Sequence, residues 1–263
     1  MGGALLANKA YTEASIFEPQ NLLREARRQK QLPLHAVPDA CVLDPDGDIV
    51  RHLRRETRAR PSAAWACYHT DLYEFELEGR SLGIVGGAVG APFAVLIAEQ
   101  LFASGCRCLV SITSAGRVTE VGRPPYFVLI DRALRDEGTS YHYLPPAEFV
   151  GADPALVEGA MAALSAAGAS VLQGASWTTD APFRETATAV ARARTLGILA
   201  VEMEAAGLYA FAATRRQPVL CLAHITNVMG RVSGDFDKGE ADGVRDALTI
   251  IRAVIGAIVP ADR

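Results

Sequence analysis

Apolar runs of strand length alternate along the chain with segments whose apolar residues recur at helical spacing. Residues 40–44, 107–113 and 218–226 are nearly continuous apolar runs, which are typical of strands covered on both faces. Residues 91–104 carry apolar side chains at helical spacing, and Gly105 ends this predicted helix. The alternation predicts a single α/β domain with a mixed, largely parallel β-sheet flanked by helices.

The same patterns extend over the rest of the sequence. The further predicted strands cover 81–89, 126–134 and 198–203, and the further predicted helices cover 154–168, 204–216 and 239–258. Residues 1–40 are predicted to form an N-terminal arm with a short basic helix (NLLREARRQK) that ends before Pro33, and residues 41–263 form the α/β domain. Ligands of such sheets bind beyond the carboxyl ends of the strands, so the residues after each strand are the candidates for a site.

The composition suits one large α/β domain and argues against two kinds of partner. Half of the 263 residues are hydrophobic, which is enough for the core of one large domain. A net charge of −4 argues against a nucleic-acid partner, and no run of about 18 apolar residues predicts a membrane span. The basic run 51–60 is interpreted mainly as a solvated helix face, with the alternative that one of its arginines contacts an anion.

The cysteines indicate a reducing compartment. Their odd number and mostly apolar neighbours predict reduced, buried thiols at Cys41, Cys67, Cys106, Cys108 and Cys221. Together with an N-terminus that lacks a signal-peptide pattern, this predicts a cytoplasmic protein. Cys106 and Cys108 have no matching Cys/His pair, so strand packing is favoured over a metal site, and we expect no metal and no organic cofactor.

Small and polar residues follow three of the predicted strands. In LDPDGDIVR, Gly47 lets a ligand approach the backbone and Arg51 offers paired donors to an oxyanion, although Asp-Gly-Asp is also a common turn. In GIVGGAVGAP, the glycines place backbone donors before a helix, but their spacing is not that of a dinucleotide fingerprint. In SITSAG, the hydroxyls of Ser111, Thr113 and Ser114 either bind a phosphate or sugar or satisfy the turn backbone.

The segment VEMEAAGLYAFA carries the most informative pattern. Glu202 and Glu204 flank Met203 where an apolar strand becomes an apolar helix, and carboxylates on so apolar an element need partners. Alternation along a strand predicts that Met203 points one way and the two glutamates the other. A carboxylate that accepts two ribose hydroxyls, beside a methionine packed on the sugar, explains this pattern better than stabilisation by the helix dipole.

Read in order, these segments resemble the purine-nucleoside and uridine phosphorylase superfamily over about Cys41 to Val254. The resemblance rests on LDPDGDIVR, GGAVGAP, SITSAG, RALRDEGTSYHYLPP, SWTTDAPFRET and above all AVEMEAAGLYA. It implies a phosphorylase/hydrolase-like fold with an open-barrel-like sheet. It also implies homo-oligomers (dimers, trimers or hexamers) whose active sites are shared between subunits.

The resemblance also implies roles for particular residues. Inorganic phosphate, as co-substrate, is expected at Gly47, Arg51 and Ser114, with a further arginine, Arg58 or Arg60, from a neighbouring subunit. The ribose is expected at Met203 and Glu204, the latter through the 2′- and 3′-hydroxyls, with Glu202 beside them. The residues expected at the base are Trp177, Thr178, Phe183, Arg184 and Asn227. The residues expected to carry catalysis are Glu204, Arg51 and Asn227.

Two positions depart from the family pattern. Ser111 stands where many relatives carry a phosphate-binding arginine, which Arg117, Arg135 or Arg231 replaces only if the fold brings it near. Asn227 stands where purine phosphorylases and related nucleosidases carry an aspartic acid, and an amide is no general acid near neutral pH. Four of the five histidines are minor proton-donor candidates: His35, His69, His142 and His224.

The leading hypothesis is a nucleoside phosphorylase, a pentosyltransferase that gives free base and pentose 1-phosphate. Asn227 favours a pyrimidine or modified base over adenine or guanine. One alternative is hydrolysis at the same sugar site, which the serine at position 111 favours. Another is a non-catalytic nucleoside-binding protein. The turn of Gly47 and Arg51 favours phosphorolysis over both.

Overall fold

Ten strands form one mixed sheet in the computed structural model, which describes residues 5–7, 9–229 and 235–259. The strands are β1 (Ala40–Asp44), β2 (Ala59–Pro61), β3 (Tyr73–Leu77), β4 (Arg80–Gly86), β5 (Cys108–Arg117), β6 (Tyr126–Asp136), β7 (Phe149–Gly151), β8 (Val171–Thr179), β9 (Ile198–Glu202) and β10 (Val219–Asn227). The helices are α1 (Pro19–Lys30), α2 (Asp48–Arg55), α3 (Ala91–Ala103), α4 (Ser140–Tyr143), α5 (Pro154–Ala166), α6 (Ala187–Thr195), α7 (Ala205–Arg215) and α8 (Val244–Ile258).

Five strands close into a ring, since the sheet runs β10–β6–β8–β9–β5 and β10 also pairs with β5. From β5 the sheet continues outward through β1, β4, β3 and β2. The pairs β1–β4, β1–β5, β5–β10, β6–β8 and β8–β9 are parallel, whereas β5–β9 and β6–β10 are antiparallel. The predicted α/β domain with a mixed, open-barrel-like sheet is therefore confirmed.

Helices cover both faces of the sheet and create two large apolar clusters. One cluster unites the sheet with α3 and α7, and the other unites it with α2, α5 and α8. Tyr209 of α7 is fully buried in the first cluster, where its hydroxyl donates to the Ile130 carbonyl and accepts from the Cys221 N–H at 3.0 Å. Because these contacts satisfy the phenol, its burial costs no lost hydrogen bond.

The elements predicted from long apolar runs are present, with ends shifted by a few residues. The clearest difference is β5, which extends to Arg117, so SITSAG lies inside a strand rather than after it. Strand β9 ends at Glu202, and Glu204 is the N-cap of α7. In the predicted arm, α1 is followed by its C-cap residue Gln31, which has a left-handed conformation. The helix buries Leu23 and Ala26 against Ala66.

Three further findings bear on the sequence predictions. All five cysteines are buried and unpaired. Among the described residues, no helix is both long and apolar enough to cross a membrane. Within those same ranges, no group of three or more His, Cys, Asp or Glu side chains is arranged to hold a metal ion.

Candidate functional site

The sheet brings the chemically promising segments to one edge. Strands β4, β1, β5 and β10 run parallel as neighbours, so their carboxyl ends lie together. Strand β9 is antiparallel to β5, but its last residues lie beside Gly116, because Val201 is the register partner of that glycine. The turn after β1, the glycine loop after β4 and the start of α7 therefore meet at this edge.

Glu204 lies at the centre of this edge with a buried carboxylate. Its Oε1 accepts the Gly90 N–H at 2.7 Å, and its Oε2 accepts the Met203 N–H at 3.4 Å. Gly90 adopts φ 88°, a left-handed conformation that favours glycine and turns its N–H toward the carboxylate. Burial, and then the charge of Glu202, raises the Glu204 pKa to about 8. The carboxylate keeps acceptor capacity for ligand hydroxyls, and half-buried Met203 lies next to it in the chain.

Glu202 has a different environment, in which its carboxylate is fully used. Oε1 accepts the hydroxyls of Ser176 and Thr178, and Oε2 accepts the backbone N–H groups of Glu204 and Ala205, each at 2.7 Å. Burial raises the Glu202 pKa despite these donors. The side chain ties β8 to the first turn of α7 and so fixes the backbone that carries Glu204. The strand ends at Glu202, yet both carboxylates are buried, Met203 between them is only half-buried, and the Glu202 charge acts on Glu204.

The turn after β1 is held by the buried side chain of Asp44. Its carboxylate accepts the N–H groups of Gly47 at 3.1 Å and Val50 at 2.9 Å. Gly47 has φ 76°, and a Cβ there would lie 2.9 Å from Nη1 of Arg51, so the guanidinium lies directly over the glycine. Arg51 forms an ion pair with Asp48 in the first turn of α2. The predicted neighbourhood of Gly47 and Arg51 is therefore present.

Two charged residues of this turn region were missed by sequence reasoning. Asp46 accepts the Ser114 N–H through Oδ2 at 2.6 Å. Lys238, from the segment after β10, forms an ion pair with Asp48 and lies 3.8 Å from Oδ2 of Asp46. The sequence signal for Asp46 is the third aspartate of DPDGD, whereas nothing in the sequence connects Lys238 with a turn 190 residues earlier.

The arginines suggested as substitutes at position 111 lie elsewhere or outside the described ranges. Ser111 is buried, and its hydroxyl has no hydrogen-bond partner. Arg117 donates to the Gly122 carbonyl, and buried Arg135 donates to Ser140 and to the carbonyls of the 144–145 turn. Arg231 lies outside the described residues. Lys238, by contrast, is a cation that lies beside the turn.

Asn227 lies at the carboxyl end of β10, close to Gly116. Its Oδ1 accepts the Met229 N–H at 2.9 Å, and its Nδ2 contacts the Ala115 carbonyl at 3.4 Å. His224, three residues earlier, stacks on Phe127 with ring centroids 4.2 Å apart. Burial, and then the nearby charge of Lys238, lowers the His224 pKa to about 4. The imidazole is therefore neutral near pH 7, which argues against its candidacy as a proton donor.

The residues expected at the base separate into two environments. Trp177 is buried and donates its indole N–H to Asp136, and buried Thr178 donates to Glu202. Phe183 and Arg184 lie exposed in the short 3₁₀ turn Pro182–Arg184. The base-binding roles of these four residues stay predictions. The roles of Arg58 and Arg60 at a subunit interface also stay predictions. Both side chains are exposed, and Arg60 is paired with Glu74.

Known proteins of one family are similar to this chain. A sequence model of the Phosphorylase superfamily matches residues 39–256. A curated relative, the purine nucleoside phosphorylase DeoD-type of Hahella chejuensis, is 30% identical over 157 residues. That match covers 59% of this chain and 66% of the relative, just under two thirds of its length.

Two solved structures have the same fold. Uridine phosphorylase from Vibrio fischeri ES114, complexed with 6-hydroxy-1-naphthoic acid, aligns with a TM-score of 0.69 and 18% identity over 86% of this chain and 91% of that one. The 5′-methylthioadenosine/S-adenosylhomocysteine nucleosidase from Neisseria meningitidis aligns with a TM-score of 0.66 and 20% identity. This second alignment covers 82% of this chain and 97% of the nucleosidase.

Proposed function

The chain belongs to the Phosphorylase superfamily, and on that premise we propose that it cleaves the N-glycosidic bond of a nucleoside. The observation that carries the proposal is the buried Glu204 carboxylate, which accepts the Gly90 N–H at the edge where the strand ends converge. A carboxylate so costly to bury needs a ligand that uses it, and the vicinal hydroxyls of a pentose are matching donors.

Phosphate is proposed as the acceptor that replaces the base. One oxygen of hydrogen phosphate bonds to the anomeric carbon as the glycosidic bond breaks. The bonding electron pair leaves with the base, which takes up the proton of the phosphate. The products are free base and pentose 1-phosphate. Because the dianion both stabilises the cationic sugar and attacks it, no covalent protein intermediate is needed.

The turn of Gly47 and Arg51 supports phosphate as this acceptor. The guanidinium over Gly47 lies at the N-terminus of α2, where the helix dipole favours an anion. Arg51 is paired with Asp48, and a phosphate would compete with that carboxylate for the guanidinium, whose side chain is 60% exposed. The base is held by hydrogen bonds rather than protonated by an acid at position 227, which favours a pyrimidine or modified base.

Hydrolysis is a second candidate, and Asp46 is the observation that favours it. Its carboxylate already accepts a hydrogen bond from the Ser114 N–H, a donor that is expected to bind phosphate. Position 111 also lacks an arginine. A carboxylate beside the sugar site can orient a water molecule and accept its proton. In that reaction the water oxygen bonds to the anomeric carbon, the glycosidic bond breaks with its electron pair on the base, and the proton that the carboxylate accepted passes to the base.

The acceptor is tested by following base release from a panel of nucleosides with and without phosphate. We expect release that depends on phosphate and a pentose 1-phosphate product. Release that continues unchanged in phosphate-free buffer, with free pentose as product, would establish hydrolysis instead. Saturable nucleoside binding without any base release would support a non-catalytic binding protein.

Arg51→Ala is expected to raise the KM for phosphate by roughly 10- to 100-fold, because one charge-assisted contact to the anion is lost. The KM for the nucleoside should change little. Arg54→Ala is the matched control, since Arg54 lies on the same helix and stacks over Tyr73 instead. An equal phosphate KM in the two variants would refute the role of Arg51.

A further inference from the structure

A lysine and an aspartate at the candidate acceptor site form a contact that the family resemblance does not explain. Lys238 comes from the segment after β10, and Asp46 and Asp48 come from the turn after β1. The lysine forms an ion pair with Asp48 and approaches Asp46 to 3.8 Å. Its side chain is only 21% exposed, so the contact is partly shielded from solvent.

The contacts of Asp48 show that two cations lie close to this turn. Although burial of the Asp48 carboxyl raises its pKa, contacts with Lys238 and then Arg51 lower that pKa below its ordinary value overall. The turn therefore places a lysine and an arginine around a single carboxylate. Two positive charges so close together attract anions, and the carboxylates of Asp48 and Asp46 supply the negative charge here.

The Asp46 carboxylate makes the contacts that a bound anion would make at this place. Its Oδ2 accepts the backbone N–H of Ser114 at 2.6 Å and lies 3.8 Å from Nζ of Lys238. One oxygen of this carboxylate thus contacts both a backbone donor and a cation. A phosphate oxygen at the same place would find the same two partners.

From this geometry we propose that Lys238, held by its ion pair with Asp48, is a phosphate-binding residue, and that Asp46 is a second, internal counterion, which phosphate displaces. The proposal rests on the proposed phosphorolysis. Lys238 supplies the positive charge that Ser111 cannot, and Asp46 neutralises it while the acceptor site is free of phosphate. The competition between carboxylate and phosphate sets the phosphate affinity, because each phosphate must displace Asp46 before it binds.

The two residues should change phosphate affinity in opposite directions. Lys238→Ala is expected to weaken phosphate binding by roughly 10- to 100-fold, and Lys238→Arg should restore most of it. Asp46→Asn is expected to strengthen phosphate binding several-fold, since the competing charge is gone. Lys30→Ala serves as the matched control, because Lys30 contacts the Cys67 carbonyl far from the turn.

Titration calorimetry of inorganic phosphate into each protein measures the dissociation constant of phosphate without turnover. Initial rates at varied phosphate provide the second readout. A dissociation constant in Lys238→Ala equal to that of the control would overturn the role of the lysine. Weaker phosphate binding in Asp46→Asn would overturn the counterion role.

The same variants separate this inference from the proposed function. If base release proves independent of phosphate while Lys238→Ala still weakens calorimetric phosphate binding, phosphorolysis fails but the anion site stands. If Asp46→Asn also abolishes that phosphate-independent release, the aspartate acts on water and its counterion role is overturned. If the unmodified protein binds no phosphate in the calorimeter, both proposals fail.

Discussion

Above pH 8, where the Glu204 carboxylate is ionised, Glu204→Gln is expected to lower kcat/KM for nucleoside cleavage by about 10²- to 10⁴-fold, because the two proposed charge-assisted contacts to the pentose become neutral. The amide keeps the size of the side chain and its contact with the Gly90 N–H. Steady-state base release measures the effect, with Glu148→Gln as a surface control, since Glu148 pairs with Arg192. Turnover of Glu204→Gln within a few-fold of the unmodified protein would contradict the sugar role.

The same variant should be more stable at alkaline pH. The Glu204 pKa is raised from 4.5 to about 8 in the folded protein, so the folded state holds this proton more tightly than the unfolded state does. Stability is therefore lost as pH rises from about 4.5 through about 8, and a glutamine removes that loss. The gain in melting temperature of the variant should grow from pH 5 to pH 8. A gain that shrinks over that range would show that the carboxylate is stabilised, not strained, by its surroundings.

Glu202→Ala is expected to destabilise the fold by about 3–5 kcal/mol, because four buried donors lose their acceptor at once. Glu202→Gln should lower the free energy of unfolding much less. Its carbonyl can still accept the two backbone N–H groups, and its amide can donate to the hydroxyls of Ser176 and Thr178. Urea unfolding of both variants measures the difference.

Kinetics of Glu202→Gln distinguish a structural role from direct ribose binding. If Glu202 only fixes the backbone that carries Glu204, kcat/KM should stay within about fivefold of the unmodified protein. A large loss of kcat/KM at unchanged stability would instead support the ribose contact that the family resemblance implies for Glu202.

The sequence predicts the fold well because its principal elements carry strong local patterns. The continuous apolar run at 218–226 corresponds to β10, whose residues are all buried. Strand β8 was missed: its first half includes exposed residues and its buried second half carries serine and threonines that read as polar. Those hydroxyls are buried because Glu202 accepts two of them, a long-range pairing that no local pattern reveals.

The candidate site was predictable only where its chemistry lies in one short segment. Gly47 with Arg51, and Met203 with Glu204, are each adjacent enough in sequence to suggest a function. The link between Asp46, Ser114 and Lys238 depends on three separate segments brought together by the sheet. Glu202 and Glu204 have different hydrogen-bond environments because β9 ends at Glu202. Strand ends are poorly determined by sequence.

The most direct test of the central claim is a binding cycle that removes the sugar hydroxyls and the Glu204 carboxylate separately and together. Calorimetry would measure dissociation constants of the best nucleoside from the panel and of its 2′,3′-dideoxy counterpart, in the unmodified protein and in Glu204→Gln. We expect loss of the hydroxyls to weaken binding by about tenfold or more in the unmodified protein and by less than about threefold in the variant. Equal losses in both proteins would mean that Glu204 does not contact those hydroxyls.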